Sequence, residues 1–344
     1  MRSAPRRARL RLAAKLDASM SSSTLSSLFS DLDVDVVLDA PIGAMTWYGI
    51  GGRADLLVRP NSIEALATLA KRCDRSSATL RILGGGANLL VADEGADGIV
   101  VRLDTPALRE IKYNRTGRIS SMKAMAGADL AKTLMDATRR GLDGLSPMAG
   151  IPGTIGGAIR MNAGGAFGSI GDAVRSVTCI TRRGELVTYP AGELRFEYRQ
   201  TNIPDPLIVS ATFNLQPADP ITLRNRVKEI FAFKKSTQPL ADHSAGCTFK
   251  NPIDPVSEQR VPAGKLIDEA GLKGEHIGGA SISRHHANFI ITQPGAAAQD
   301  VLQLLDLVRR RVYEHAGIEL QQEVVVWRRG EDEERDQESG VSGE

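Results

Sequence analysis

Little in this chain invites nucleic acid, lipid or metal. Aromatic residues make up only 4%, too few for the stacking platforms on which bases are held. Lysine and arginine (43) nearly balance aspartate and glutamate (41), for a formal net charge of +2. That balance gives no electrostatic footprint for a polyanion or an anionic membrane. No apolar run approaches the roughly 18 residues that cross a bilayer. Cys73, Cys179 and Cys247 are scattered, odd in number and form no C-x-x-C pair. They exclude a disulfide framework and a zinc site, and they point to a reducing, cytoplasmic setting. His243, His285 and His286 have no ligand-like spacing to a carboxylate or cysteine, so no metal is expected. No repeat of solenoid period is visible.

What the chain does have is glycine, 34 residues in 344. The densest information lies in Arg81–Leu103, RILGGGANLLVADEGADGIVVRL. A short apolar strand runs into Gly84-Gly85-Gly86-Ala87-Asn88, and a second strand, Gly98 to Leu103, follows. Three successive glycines free the backbone and remove every Cβ that would hold a ligand away. Such a loop can turn several N–H groups toward one anion. A dinucleotide fingerprint requires a helix directly after the glycines, and Leu89-Leu90-Val91 reads as a strand instead. The loop is therefore either a phosphate cradle built from backbone donors between strands or a glycine-rich turn. A formal G-x-G-x-x-A match at Gly49, Gly51 and Ala54 is rejected because a strand ending at Pro60 follows it.

Taken in order, residues 1–36 read as a basic, serine-rich tail, with Met20 an alternative start, and 330–344 as an acidic tail too poor in apolar residues to fold. Ordered structure is expected from about Val34. Asn61 with Glu64 suggests a capping box for a helix whose face carries Ile63, Leu66, Leu69 and Ala70. Strand, helix and strand then form a βαβ unit. From Ser120 the pattern restarts, with a helix over Asp129–Arg140 stopped at Gly141. The stretch Gly141–Gly171 interleaves many glycines with Leu145, Met148, Ile151, Ile155, Ile159 and Met161, which argues for close approach to an extended ligand rather than a linker. A hairpin turns at Arg182–Glu185. After Pro217 come a basic helix, Leu223–Lys235, helices at Ala263–Ala270 and Ala297–Ala316, and strands at Asn288–Thr292 and Leu320–Trp327. The fold class is α+β, with domains at 37–218 (lobes 37–105 and 106–218) and 219–329.

Six stretches together, Thr46–Pro60, Arg81–Leu90, Gly150–Gly164, Phe196–Arg199, Gly246–Pro252 and Leu320–Val326, resemble the UDP-N-acetylenolpyruvoylglucosamine reductases, the MurB flavoenzymes, in their shorter form without a tyrosine-bearing loop. The resemblance spans about residues 37–328. It implies a two-lobed FAD-binding domain of the vanillyl-alcohol-oxidase type followed by a substrate domain. It also implies FAD and NADPH as cofactors, and a small-molecule substrate, UDP-N-acetylglucosamine enolpyruvate, reduced for peptidoglycan synthesis. No nucleic acid, membrane insertion or protein partner is implied. Another FAD-dependent oxidase of the same fold is the alternative, and it would not need Gly246–Pro252.

The same resemblance implies site residues. Thr46, Gly84, Gly85, Gly86, Ala87, Asn88 and Leu89 would line the cofactor's diphosphate, and Gly150, Pro152, Gly153, Gly156 and Ala158 would run along the flavin. Arg199 and Glu323 would stabilise an enolate. Cys247 stands where most relatives carry a serine proton donor, although an inert buried thiol is the ordinary reading of a lone cysteine. Lys250, Asn251 and Asn162 would contact substrate. Lys234 and Lys235 are either phosphate contacts or a solvated helix end. With a reference pKa of about 8.5, Cys247 is expected to donate at neutral pH, to lose activity as pH rises further and to be open to alkylation.

Overall fold

The structure is a computed structural model that describes residues 28–29, 31–116 and 119–330. Most of both expected tails lies outside the described residues. The N-terminal boundary comes earlier than the composition suggested. Leu28 and Phe29 are buried in the main core, and strand β1 (Val34–Ala40) begins at Val34.

β1 pairs antiparallel with β2 (Ala54–Pro60), Val36 opposite Val58 and Leu38 opposite Leu56. Helix α1 (Ile63–Ser76) is capped by Ser62, whose hydroxyl accepts from the Ala65 N–H at 3.0 Å. The cap falls one residue later than the Asn61–Glu64 box because the Asn61 amide is drawn to Asp33. α1 buries Leu66, Leu69, Ala70 and Cys73 on one stripe. Strands β3 (Leu80–Ile82), β4 (Leu89–Val91) and β5 (Ala96–Val101) follow. The first sheet has the order β1-β2-β5-β3, with β5 parallel to both β2 and β3. The expected βαβ unit is present, with β5 inserted between its two strands.

The second lobe contains β6 (Ile111–Thr116), β7 (Ile119–Met125), α2 (Leu130–Arg139) and α3 (Ile155–Arg160). Then come β8 (Val174–Ile180), β9 (Leu186–Pro190), the two-residue strands β10 (Phe196–Glu197) and β11 (Gln200–Thr201), and β12 (Leu207–Pro217). Its antiparallel sheet runs β9-β8-β12-β7-β6. The long β12 takes the centre because its apolar run LIVSATF is buried almost throughout. Asp129 caps α2 on the Lys132 N–H, and Gly141, at φ 65°, turns the chain away just past its end.

Helix α4 (Pro220–Thr237) corrects the expected boundary at 218/219. Val227 and Ile230 pack into the core of the first two lobes. A separate core joins Tyr48 and Leu90 of the first lobe to Ala245 and Phe249, and is filled by α5 (Ala263–Glu269), β13 (Ala280–Ile282), β14 (Ile290–Thr292) and α6 (Ala298–Ala316). The last strand, β15 (Val325–Trp327), is shorter than the expected Leu320–Trp327. It returns to the first lobe and lies parallel to β4, Val325 opposite Leu89 and Trp327 opposite Val91. The residues before it hydrogen-bond with the segment after Cys247 instead: Lys250 N–H donates to Gln321 O and Glu323 N–H to Thr248 O, both at 2.8 Å.

Candidate active site

The two lobes and the C-terminal unit enclose a cavity of about 2050 Å³. That is roughly twice the ~1,000 Å³ upper range for a single drug-sized ligand, so the site has room for two molecules side by side. One wall is the triple-glycine loop. Among the described residues, no hydrogen bond engages the backbone N–H groups of Gly84, Gly85, Gly86 or Ala87, all of which line the cavity. Buried or half-buried amides without a partner are expensive, and a diphosphate would satisfy several at once. Facing this loop are Gly150, Ile151, Pro152, Gly153 and Thr154, then Gly157 and Ala158 of α3. Gly153, at φ 115°, occupies a backbone region that glycine alone enters readily. A dinucleotide cofactor such as FAD fits this cradle: open backbone donors, walls without side chains and an extended length.

At the inner end of the cavity the chain brings together residues far apart in sequence. Arg199 sits on the tight turn between β10 and β11 at φ 58°. Its Nε donates to Glu323 Oε1 at 2.5 Å and its Nη1 to Gly164 O at 2.9 Å. Both partners of the ion pair are largely buried, with 18% and 10% of the side chains exposed. Glu323 is fixed by its backbone, since Asn88 Nδ2 donates to its carbonyl and Thr248 O accepts from its N–H. The glycine loop and the carboxylate are thus tied through Asn88. Cys247, half-buried, lines the same cavity. The segment after it is clamped by Asn288, which accepts from Phe249 N–H at 2.9 Å and donates to Phe249 O at 2.8 Å.

Burial sets the electrostatics. It raises the Glu323 carboxyl above the ordinary range, although the charges of Arg199 and Lys250 pull the other way. Burial works against the Arg199 charge, but Glu323, with Tyr198 and Cys247, more than offsets it and holds the guanidinium above its ordinary value. Burial, aided by the Glu323 charge, pushes the Cys247 thiol up to about 12 against the pull of Arg199. The thiol is therefore a protonated group across the neutral and mildly alkaline range. The expected loss of activity just above neutral pH and the ready alkylation are corrected accordingly: a thiolate next to a carboxylate in a poorly solvated site is harder to form than in water.

Several expected site residues lie elsewhere. Thr46 spends its hydroxyl on Gly43 O and does not line the cavity, whereas its neighbour Trp47 does. Gly156 is also outside the lining. A Cβ there would meet the Ala126 methyl at 2.8 Å, so this glycine lets α3 approach β7. Asn251 orders a loop, its side-chain oxygen accepting from Ala263 N–H and its backbone N–H donating to Tyr198 Oη. Asn162 is buried away from the cavity. Leu89, Ala87, Lys250 and the three expected catalytic residues do line it.

The structure separates the two lysines and removes the solvated-helix alternative for Lys234. That residue is 6% exposed, lines the cavity and donates from Nζ to Pro147 O at 3.1 Å, while Lys235 is exposed. The signal was available: Leu223, Val227, Ile230 and Lys234 share one helical stripe, so the lysine had to point inward with the three apolar residues. Burial, with the Arg199 charge nearby, lowers its amine to about 8. The affinity for an anionic ligand is therefore expected to weaken as pH climbs through that value, and Lys234→Arg, which stays charged, is expected to flatten the dependence. Identical KM profiles in the two proteins would remove Lys234 from the binding surface.

A family model described as "UDP-N-acetylenolpyruvoylglucosamine reductase, C-terminal domain" matches residues 238–327, and one described as "FAD binding domain" matches residues 54–189. The first begins where the second core separates from α4. The UDP-N-acetylenolpyruvoylglucosamine reductase of Syntrophus aciditrophicus is 40% identical over 293 residues, which is 84% of this chain and 91% of that protein. The enzyme of the same name from Desulfosudis oleivorans is 37% identical over 296 residues, 84% of this chain and 93% of its own. Among solved structures, UDP-N-acetylenolpyruvylglucosamine reductase from Thermus caldophilus superposes with a TM-score of 0.68 at 36% identity, covering 86% of this chain and 99% of that one.

Proposed function

Since this chain belongs to the UDP-N-acetylenolpyruvoylglucosamine reductase family, with its FAD-binding domain, we propose that it uses NADPH to reduce the enolpyruvyl double bond of UDP-N-acetylglucosamine enolpyruvate, giving UDP-N-acetylmuramate for peptidoglycan synthesis in the cytoplasm. The observation that carries this reading is the buried Arg199–Glu323 pair, 2.5 Å apart, in one cavity with Cys247 and the unpartnered amides of the glycine loop. FAD, held by the Gly84–Ala87 loop and the facing Gly150–Thr154 segment, would supply the hydride chemistry between NADPH and the terminal vinyl carbon.

The chain's own residues supply the rest. Arg199 has committed Nε and one N–H of Nη1 internally, which leaves the second N–H of Nη1 and both of Nη2 for the two oxygens of the substrate carboxylate. As negative charge moves onto that carboxylate, the guanidinium is already in place and needs no reorganisation. Cys247 holds the proton that the adjacent carbon must receive: the S–H bond breaks, a C–H bond forms, and the electron pair stays on sulfur. Arg199 favours the resulting thiolate. Glu323, its carboxyl raised by burial, is suited to share a proton with the enol or the sulfur. Lys234 and Lys250 place positive charge along the cavity for the substrate's diphosphate.

Stimulation of NADPH oxidation by the enolpyruvyl substrate, with formation of the reduced lactyl ether, tests the whole reading; oxidation that is indifferent to this substrate overturns it. Within it, Cys247→Ser is expected to keep substantial turnover because a hydroxyl can donate in the same place. Cys247→Ala should lose about 10²–10⁴-fold, the usual contribution of a positioned acid, with flavin reduction by NADPH intact. With the thiol pKa at about 12, wild type and Cys247→Ser should share the same pH profile through the mildly alkaline range, and alkylation by iodoacetamide should be slow. A descending limb that belongs to wild type alone would place the thiol pKa lower than the structure does.

A further inference from the structure

Asn162 is 5% exposed and does not line the cavity. Its backbone is left-handed at φ 39°, a region that asparagine tolerates better than most residues. Both ends of its amide are spent on backbone: Nδ2 donates to Glu197 O at 2.8 Å, and Oδ1 accepts from Gly171 N–H at 3.2 Å. Glu197 ends β10, and it pairs with Gln200 across the two-residue turn Tyr198-Arg199. Arg199 itself is held at φ 58°, a strained state for a residue with a long side chain, and one that persists only where its surroundings impose it.

Those surroundings centre on Asn162. On one side its amide holds the strand entering the turn. Gly171 is fixed in turn by Phe196, the residue before Glu197: a Cβ on Gly171 would lie 2.5 Å from the Phe196 ring. On the strand leaving the turn, Thr201 Oγ1 donates to Arg160 O at 3.4 Å. The loop then closes on itself, because Arg199 Nη1 reaches back to Gly164 O, two residues beyond Asn162. The Asn162–Gly164 segment therefore grips the arginine turn at its root, where the Asn162 amide donates to Glu197 O, and at its tip, where Gly164 O accepts from the guanidinium.

We propose that Asn162 is a positioning residue for Arg199: its amide fixes the turn so that the guanidinium enters the cavity already aligned on Glu323 and on the substrate carboxylate. The inference rests on the reading of Arg199 as the substrate-facing cation.

The test uses the flavin-loaded enzyme and follows the two half-reactions separately by stopped flow. Asn162→Gly accepts the left-handed backbone and removes only the amide. Asn162→Asp keeps the acceptor for Gly171 and replaces the donor toward Glu197 with an oxygen, so either variant serves if the other fails to fold. Each is expected to slow reoxidation of the flavin by the enolpyruvyl substrate about ten- to hundredfold, the range for a misplaced catalytic group. Reduction by NADPH and the flavin content should be unchanged. In an Arg199→Ala background the same substitutions should add less than about twofold, because residues acting as a unit are not additive. Equal losses in both backgrounds would overturn the inference alone, since a purely structural role is blind to the arginine. So would wild-type reoxidation, or a parallel loss of flavin reduction. If Arg199→Ala itself reoxidises normally, the reading of Arg199 fails, and the inference with it.

Discussion

Arg199→Ala should retain reduction of the flavin by NADPH while its reoxidation by the enolpyruvyl substrate slows by at least about 10²–10³-fold, the loss that follows removal of one preorganised donor to a forming oxyanion. The structure adds a second consequence. Glu323 is 10% exposed in its side chain and pairs with Arg199 at 2.5 Å. Without the guanidinium its carboxyl loses the strongest charge holding its pKa down, against a burial effect that already raises it. Breaking one side of a buried pair costs about 3–5 kcal/mol when the remaining charge stays ionised. Here the carboxyl can take up a proton instead. A group whose folded pKa lies above its unfolded value stabilises most at low pH and loses that contribution as pH rises through the folded pKa. The destabilisation of Arg199→Ala relative to wild type is thus expected to be small in acid and to grow as pH rises through the elevated Glu323 value. Arg199→Ala,Glu323→Gln should remove that pH dependence, because the amide cannot ionise, without restoring reoxidation. Melting temperatures across pH, read beside the half-reactions, check both parts. A defect in flavin reduction with FAD still bound would assign Arg199 to the wrong half-reaction.

The other large effect concerns Gly85. The sequence suggested that a side chain there would collide with the cofactor's diphosphate. The structure shows an earlier obstacle: a Cβ on Gly85 would lie 2.6 Å from Gly153 Cα and 3.1 Å from its carbonyl carbon. The two glycine stretches, one from each lobe, meet backbone to backbone, and neither has a flexible end that can give way. Even Gly85→Ala is therefore expected to part the lobes at the cradle. At about 1–3 kcal/mol for such overpacking, FAD affinity should fall roughly ten- to hundredfold, and protein desalted in dilute buffer should be colourless yet folded by circular dichroism. Gly192→Ala, at a position with nothing within 4 Å of the added carbon, serves as the control and should stay yellow. Normal flavin retention in Gly85→Ala would mean that the lobes do not clamp the cofactor at this point.

The local elements were legible where a period or a punctuation residue dominates. Leu66, Leu69 and Ala70 announced the inward stripe of α1, Asp129 and Gly141 bracketed α2, and the arginine–glycine turn marked the β8–β9 hairpin. Arg199, Cys247 and Glu323 were singled out because their stretches match a known motif order, not because spacing brings them together: Arg199 and Glu323 are 124 residues apart, and the fold places all three on one cavity. Errors arose where a residue's role depends on what lies across from it. Asn61 looked like a cap until Asp33 engaged it. Gly156 and Thr46 looked like cofactor contacts until Ala126 and Gly43 accounted for them. Lys234, left open between a phosphate contact and a solvated helix end, is the one case that helical spacing alone could have resolved.

What the sequence determined by itself is where the main helices and strands lie, and the chemistry on offer: a guanidinium, a carboxylate, a thiol and a backbone able to approach a diphosphate. These follow from residue type and short-range period, which act over a few bonds. Tertiary structure alone decided that α4 belongs to the first core, that β15 returns to lie beside β4, and that Glu323 thereby meets Arg199. It also decided the state of the groups. The same thiol that titrates near 8.5 in water stands at about 12 here, and a lysine falls to about 8, because desolvation depends on which distant segments close over a charge, and no window along the chain contains them all.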